Sequence, residues 1–83
     1  MILSMEREKL LDSLLNTLEA ERHHRGALLL EVIDALDAAG EAAALARRML
    51  QGIESGRMRE GDFCVDLARL RHLALGDARA SAA

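Results

Sequence analysis

Two adjacent histidines between two arginines, in Glu21-Arg22-His23-His24-Arg25-Gly26, are the first residues of this chain that could do chemistry. Imidazole nitrogens ligate transition metals, and a working site needs three or four ligands in a fitting geometry. On a helix Glu19 and His23 stand at i, i+4 and could share one ion, with His24 as neighbour. The other candidates, His72 and Cys64, both lie on the last predicted helix. A composite Glu19/His23/His72 site is open to the chain, but no spacing requires it. The stretch reads as a solvated polar waist or turn, with no metal and no cofactor.

Nucleophilic chemistry has one candidate. Cys64 falls in the first turn of a predicted helix, where the macrodipole lowers the pKa of a thiol. Beside Phe63, a lone cysteine reads instead as a small buried hydrophobe. The chain has no Gly-rich phosphate cradle, no Gly-x-Ser-x-Gly and no His-Glu-x-x-His. No enzymatic activity is expected. Nucleic-acid binding would need clustered positive charge. The arginines come in pairs (Arg22/Arg25, Arg47/Arg48, Arg57/Arg59, Arg69/Arg71), diluted by 14 acidic residues to a net charge of −3, with no aromatic residue but Phe63 to stack on a base. These pairs read as solvated helix flanks, and a small DNA-binding protein is kept only as an alternative.

The elements that position these residues are helical. Of 83 residues 51% are hydrophobic, yet there is no Trp, Tyr or Pro. The core must therefore come from Leu, Ala, Ile, Val and Met, mostly strong helix formers. A chain this short buries roughly 60–65% of its unfolded surface and often gains stability by self-association. Its single cysteine excludes an internal disulfide. No run of about 18 apolar residues spans a membrane, and the charged start carries no signal-peptide pattern. A cytoplasmic domain over 1–76, with a flexible tail at 77–83, is the expectation.

Leu10, Leu11, Leu14, Leu15 and Leu18 share one helical face, and Leu28, Leu29, Val32, Ile33 and Leu36 repeat that pattern 18 residues later, five full turns on. Either one helix runs from about 5 to 39 with a charged waist, or the chain turns near Gly26, a fitting helix C′ residue. No Ser, Thr, Asp or Asn stands ready to cap a second helix there. The predicted helices are about 5–24, 27–39, 41–55 and 60–75: an all-α, small three- or four-helix bundle. Gly40 ends the second helix, and Gly76 the fourth. In the third, Ala42, Leu45, Ala46, Met49, Leu50 and Ile53 make the inner face, and Gly52 weakens the helix. Ser55-Gly56 stops it, and Met58 and Phe63 then have the spacing of a hydrophobic staple, with Asp62 at N3. Phe63, Leu67, Leu70 and Ala74 form the buried face of the last helix.

The turn from Gly56 to Leu70, Gly-x-apolar-x-x-x-acid-Phe, resembles that of the short bacterial oligomerisation domains called SHOCT. Arg59 stands where that family prefers Thr, and no function is carried over.

Leu30, Val65 and Leu73 lie off the main faces, and Cys64, Ala68 and Leu75 form a second stripe interrupted by Arg71. These exceed what one small core needs and read as a surface that buries against a partner. Leu30, Val65, Ala68, Arg69, Leu73 and Leu75 are the candidate partner-binding residues. In size, charge and layout from Met1 to Gly76 the chain is similar to the small helical antiactivators of rhizobial quorum-sensing and conjugative-element control. That resemblance implies a protein that occludes a transcriptional activator through its apolar stripe, with Arg69, Arg71, Asp34 and Asp37 setting specificity. A homo-oligomerisation module, closing a homodimer through the same stripe, is the alternative.

Overall fold

The computed structural model describes the backbone of residues 2–82 and the side chains of residues 6–76. Over this range the chain forms four α-helices and no strand: α1 (Ile2–Ala20), α2 (Arg25–Ala35), α3 (Glu41–Glu54) and α4 (Glu60–Ala82). The all-α expectation holds. No helix among the described residues is long and apolar enough to cross a membrane.

The leucine stripes belong to two helices. α1 stops at Ala20, residues 21–24 turn the chain, and α2 packs back on α1. The turn precedes Gly26, which lies inside the first turn of α2. A Cβ on Gly26 would make an ordinary contact with Leu50 Cδ1 on α3, at 3.8 Å, so this residue faces the α2–α3 seam and does not terminate a helix. His24 holds the N-cap position of α2 without a side-chain cap hydrogen bond, in keeping with the missing cap residue. The shared phase of the stripes reflects two helices facing one core.

α2 also ends before residue 39. Leu36 is extended, with φ −98° and ψ 158°. Asp37 then makes its own turn: its Oδ1 accepts from Ala39 N at 3.2 Å and its carbonyl from Gly40 N at 2.9 Å. An aspartate that satisfies nearby backbone in this way competes with the helix. Arg7 Nε donates to the Ala35 carbonyl at 2.6 Å, and Arg47 Nη2 to that of Ala38 at 3.4 Å. Gly40 is therefore the N-cap of α3 and not the end of α2.

Packing runs in a ring, α1 on α2, α2 on α3, α3 on α4 and α4 on α1, and among the described residues the backbones make no contact across either diagonal. Extents of 39 × 21 × 19 Å fit two helices by two, since one helix with its side chains is about 10 Å across. Successive helices are antiparallel: Arg7 near the start of α1 meets the end of α2, and Gly26 at the start of α2 meets Leu50 late in α3. Leu15, Leu18, Leu29, Val32, Met49, Phe63 and Leu70 are fully buried between them. Ala42, Ala43 and Ala46 are buried on α3, where small side chains allow close approach.

The α3–α4 connection follows the expected grammar. Gly56 has φ 73°. Its N–H donates to the Ile53 carbonyl at 3.1 Å, and that of Arg57 to the Gly52 carbonyl at 3.0 Å, the paired bonds of a Schellman motif. Met58 packs against the core and Phe63 is buried. A Cβ on Gly52 would approach Met58 Cε to 3.1 Å, so this glycine makes room for the staple.

α4 does not stop at Gly76; its backbone stays helical to Ala82, Gly76 lacks the positive φ of a terminating glycine, and four of the seven residues after it are alanine, a strong helix former. The side chains of the expected tail, 77–83, lie outside those described. Leu10, read as part of the core stripe, is 51% exposed, since it sits at the edge of an arc centred on Leu11, Leu15 and Leu18.

Candidate functional site

The structure separates the histidines from the other ligand candidates. His23 and His24 are exposed in the α1–α2 turn, and the His23 N–H donates to Glu21 Oε1 at 3.0 Å. Glu19 faces α4, where Arg71 Nη2 donates to its Oε2 at 3.4 Å. Among the described residues no three His, Cys, Asp or Glu side chains gather closely enough to hold a metal ion, and Glu19, His23 and His72 are not brought together. Cys64 is exposed, contrary to its reading as a buried hydrophobe: Phe63 next to it takes the inward direction, and Cys64 lies about 100° around the helix.

The stretch that held the histidines has its structural role in Arg25. Its side chain is only 12% exposed. Nη1 and Nη2 donate to Glu60 Oε1 and Oε2 at 2.6 and 3.1 Å, a two-pronged pair that fits the planar guanidinium. Nε donates to the Leu18 carbonyl, in the last turn of α1, at 3.4 Å. The guanidinium carbon lies 3.8 Å from the centroid of the Phe63 ring, within cation–π range. The hydrogen bond from Arg25, with the charges of Arg25 and Arg22, holds the Glu60 carboxyl below its usual range against a smaller opposing effect of burial. The same bond raises Arg25 above its ordinary value, opposed by burial. One side chain thus joins the end of α1 and the start of α2 to the start of α4, across a diagonal the backbones do not span. The sequence carried one sign of this: Arg25 occupies an angular position belonging to the apolar stripe.

The six candidate partner-binding residues divide three ways. Val65 is 70% exposed, and Ala68 and Arg69 are exposed beside it on the outer face of α4. Leu30 is 53% exposed but on α2, diagonal to α4, so it does not join that face. Leu75 is 4% exposed and belongs to the core, and Leu73 is half-buried against it. α4 is flanked on both sides, which widens its buried arc. Arg71, one turn before Leu75, contacts Asp12, Asn16 and Glu19 of α1, and Leu75 follows it into the α1–α4 seam. Leu73, two residues on from Arg71, lies about 200° around the helix from it and is partly buried against the core. The continuous stripe of six residues is therefore a three-residue outer face, a separate Leu30 and two residues of the core.

Arg71 is half-buried and engaged, whereas Arg69 and Asp62 make no ion pair or side-chain hydrogen bond among the described residues. A shallow depression runs along α1 from Lys9 to Glu21, but a single helix lines it and no second wall encloses a ligand.

No family model, curated protein or solved structure matches this chain.

Proposed function

We propose that this chain is a non-catalytic protein-binding regulator, an antiactivator whose four helices form a small bundle that occludes a transcriptional activator with the outer face of α4. The observation that carries this reading is Val65, 70% exposed in the middle of a helix whose opposite face buries Phe63, Leu67, Leu70 and Ala74. Covering a valine side chain fully contributes about 1.5–3 kcal/mol. Ala68 leaves the approach open, and Arg69, without an ion pair among the described residues, would select a partner by charge. Charges at such a rim govern association rate and partner choice more than total affinity. Arg71 drops out of that role because α1 already holds it.

The arginine pairs lend less support to DNA binding than their sequence suggests. Arg25, Arg47 and Arg71 all have partners inside the protomer, so three of the four pairs have lost a member to the fold.

The test is capture from a lysate of the source cells by the chain and by its Val65→Asp variant, with and without nuclease, read by mass spectrometry. A transcription factor recovered by the first, lost with the variant and insensitive to nuclease supports occlusion through α4. Equal recovery by a variant of unchanged helicity overturns it.

A further inference from the structure

Gly61, Val65, Ala68 and His72 follow one another at spacings of four, three and four residues along α4, which keeps them on one side of the helix. Val65 is the large apolar group of this strip. Asp62 and Arg69 lie along one edge, both exposed and both without a partner among the described residues.

Gly61 is the anomaly. It lies in the first turn of α4, its φ is not positive, and a Cβ placed on it meets nothing within 4 Å. Neither backbone conformation nor crowding inside the protomer calls for glycine, which costs a helix up to about 1 kcal/mol relative to alanine. A helix from outside, approaching this strip closely, supplies the missing reason.

We infer that two copies pair through their α4 helices, antiparallel, about a two-fold axis passing between Val65 and Ala68. Val65 of each copy then covers Ala68 of the other, and His72 lies over Gly61. Asp62 of each copy comes beside Arg69 of the other, twice, because a two-fold axis makes every contact reciprocal. Charge decides the direction. A parallel pair would carry the Asp62–Arg69 edge of the two copies to opposite sides of the seam and leave these charges without each other, whereas the antiparallel pair brings the two edges to the same side and sets opposite charges together at both ends.

The inference does not depend on the activator reading. Where both hold, self-pairing and activator binding compete for Val65, and the dimer keeps the regulatory face covered until an activator displaces the second copy.

Sedimentation over a range of protein and salt concentrations tests this with Asp62→Arg and Arg69→Asp, separately and mixed. Each variant alone places two like-charge contacts in its own dimer, and its association weakens on the order of tenfold, the scale of two exposed ion pairs. Mixed one to one, the two variants are complementary at both ends, and association returns to that of the unaltered chain. The effect diminishes at high salt. A chain that stays monomeric at every concentration overturns the inference, as does a dimer that neither variant weakens or that mixing fails to restore. Val65→Asp abolishes both self-pairing and activator capture, whereas the charge rescue is specific to self-pairing, so the two readings fail separately.

Discussion

The guanidinium of Arg25 lies over Phe63, its central carbon 3.8 Å from the ring centroid, while its nitrogens hold Glu60. The only phenylalanine of the chain thus carries the most buried of the ion-paired side chains among the described residues on one face, and both prongs of the arginine point at the first turn of α4. A negative charge there also favours the helix dipole. Lysine at position 25 keeps the charge but loses the fork and the planar stacking. Arg25→Lys is expected to cost about 1 kcal/mol, a fall in melting temperature of about 4–8 °C for a domain of this size. An unchanged melting temperature would show that stacking and fork contribute nothing beyond charge.

Acid should weaken the same junction. Glu60 titrates below its ordinary value when folded and near about 4.3 when unfolded. Between those values the unfolded chain binds the extra proton, so stability from this group rises with pH. It is fully present above the unfolded value and lost as pH falls through the folded one. Melting curves from neutral to strongly acidic pH should therefore show Glu60→Gln less stable than the unaltered chain near neutrality, with the difference closing in acid. A constant difference across the series would mean that the carboxylate charge is not what Arg25 recognises.

The helices were legible because their signals are local: Schellman glycine, staple spacing and apolar periodicity each act within a few residues. The α3–α4 turn follows directly from Gly56, Met58 and Phe63. What could not be read was set by neighbours remote in sequence. Arg25 looked like an interruption of a stripe because its partners, Glu60 and Phe63, are 35 and 38 positions away. Leu75 looked like surface because the width of the buried arc of α4 depends on α1 lying alongside. Leu30 and Val65 looked contiguous because periodicity assigns a face to each helix and says nothing about which helices are diagonal. The early end of α2 was legible in principle, from Asp37 three residues before Gly40, but the apolar period masked it.

Alanine should act in opposite directions at two glycines near the start of α4. Gly56 has φ 73°, where a Cβ is strained even with nothing within 4 Å, and Gly56→Ala should cost about 1–2 kcal/mol. Gly61 is helical and equally open, so Gly61→Ala should add about 0.4–1 kcal/mol through a less flexible unfolded chain. Denaturant titration in dilute solution, where copies are apart, measures both. Gly61→Ala should also weaken self-association in concentrated solution. Destabilisation by Gly61→Ala in dilute solution would mean that the protomer itself requires this glycine.

Leu75 and Val65, ten residues apart on α4, give the sharpest test of which apolar residues are core. Leu75 is 4% exposed and Val65 70%. An aspartate at 75 puts a carboxylate into the α1–α4 seam, where Arg71, one turn earlier, is already held by Asp12 and Glu19. Burying an uncompensated charge is among the few changes that unfold a domain outright. Leu75→Asp should therefore lose its cooperative melting transition, and the milder Leu75→Ala should cost about 2–5 kcal/mol. Val65→Asp meets only solvent in the protomer and should stay within about 0.5 kcal/mol of the unaltered chain. Far-ultraviolet circular dichroism during thermal melting distinguishes them. Retained stability in both Leu75 variants would return Leu75 to the surface and restore a longer stripe. Loss of folding in Val65→Asp would place Val65 in the core and remove the face on which both partner binding and self-pairing depend.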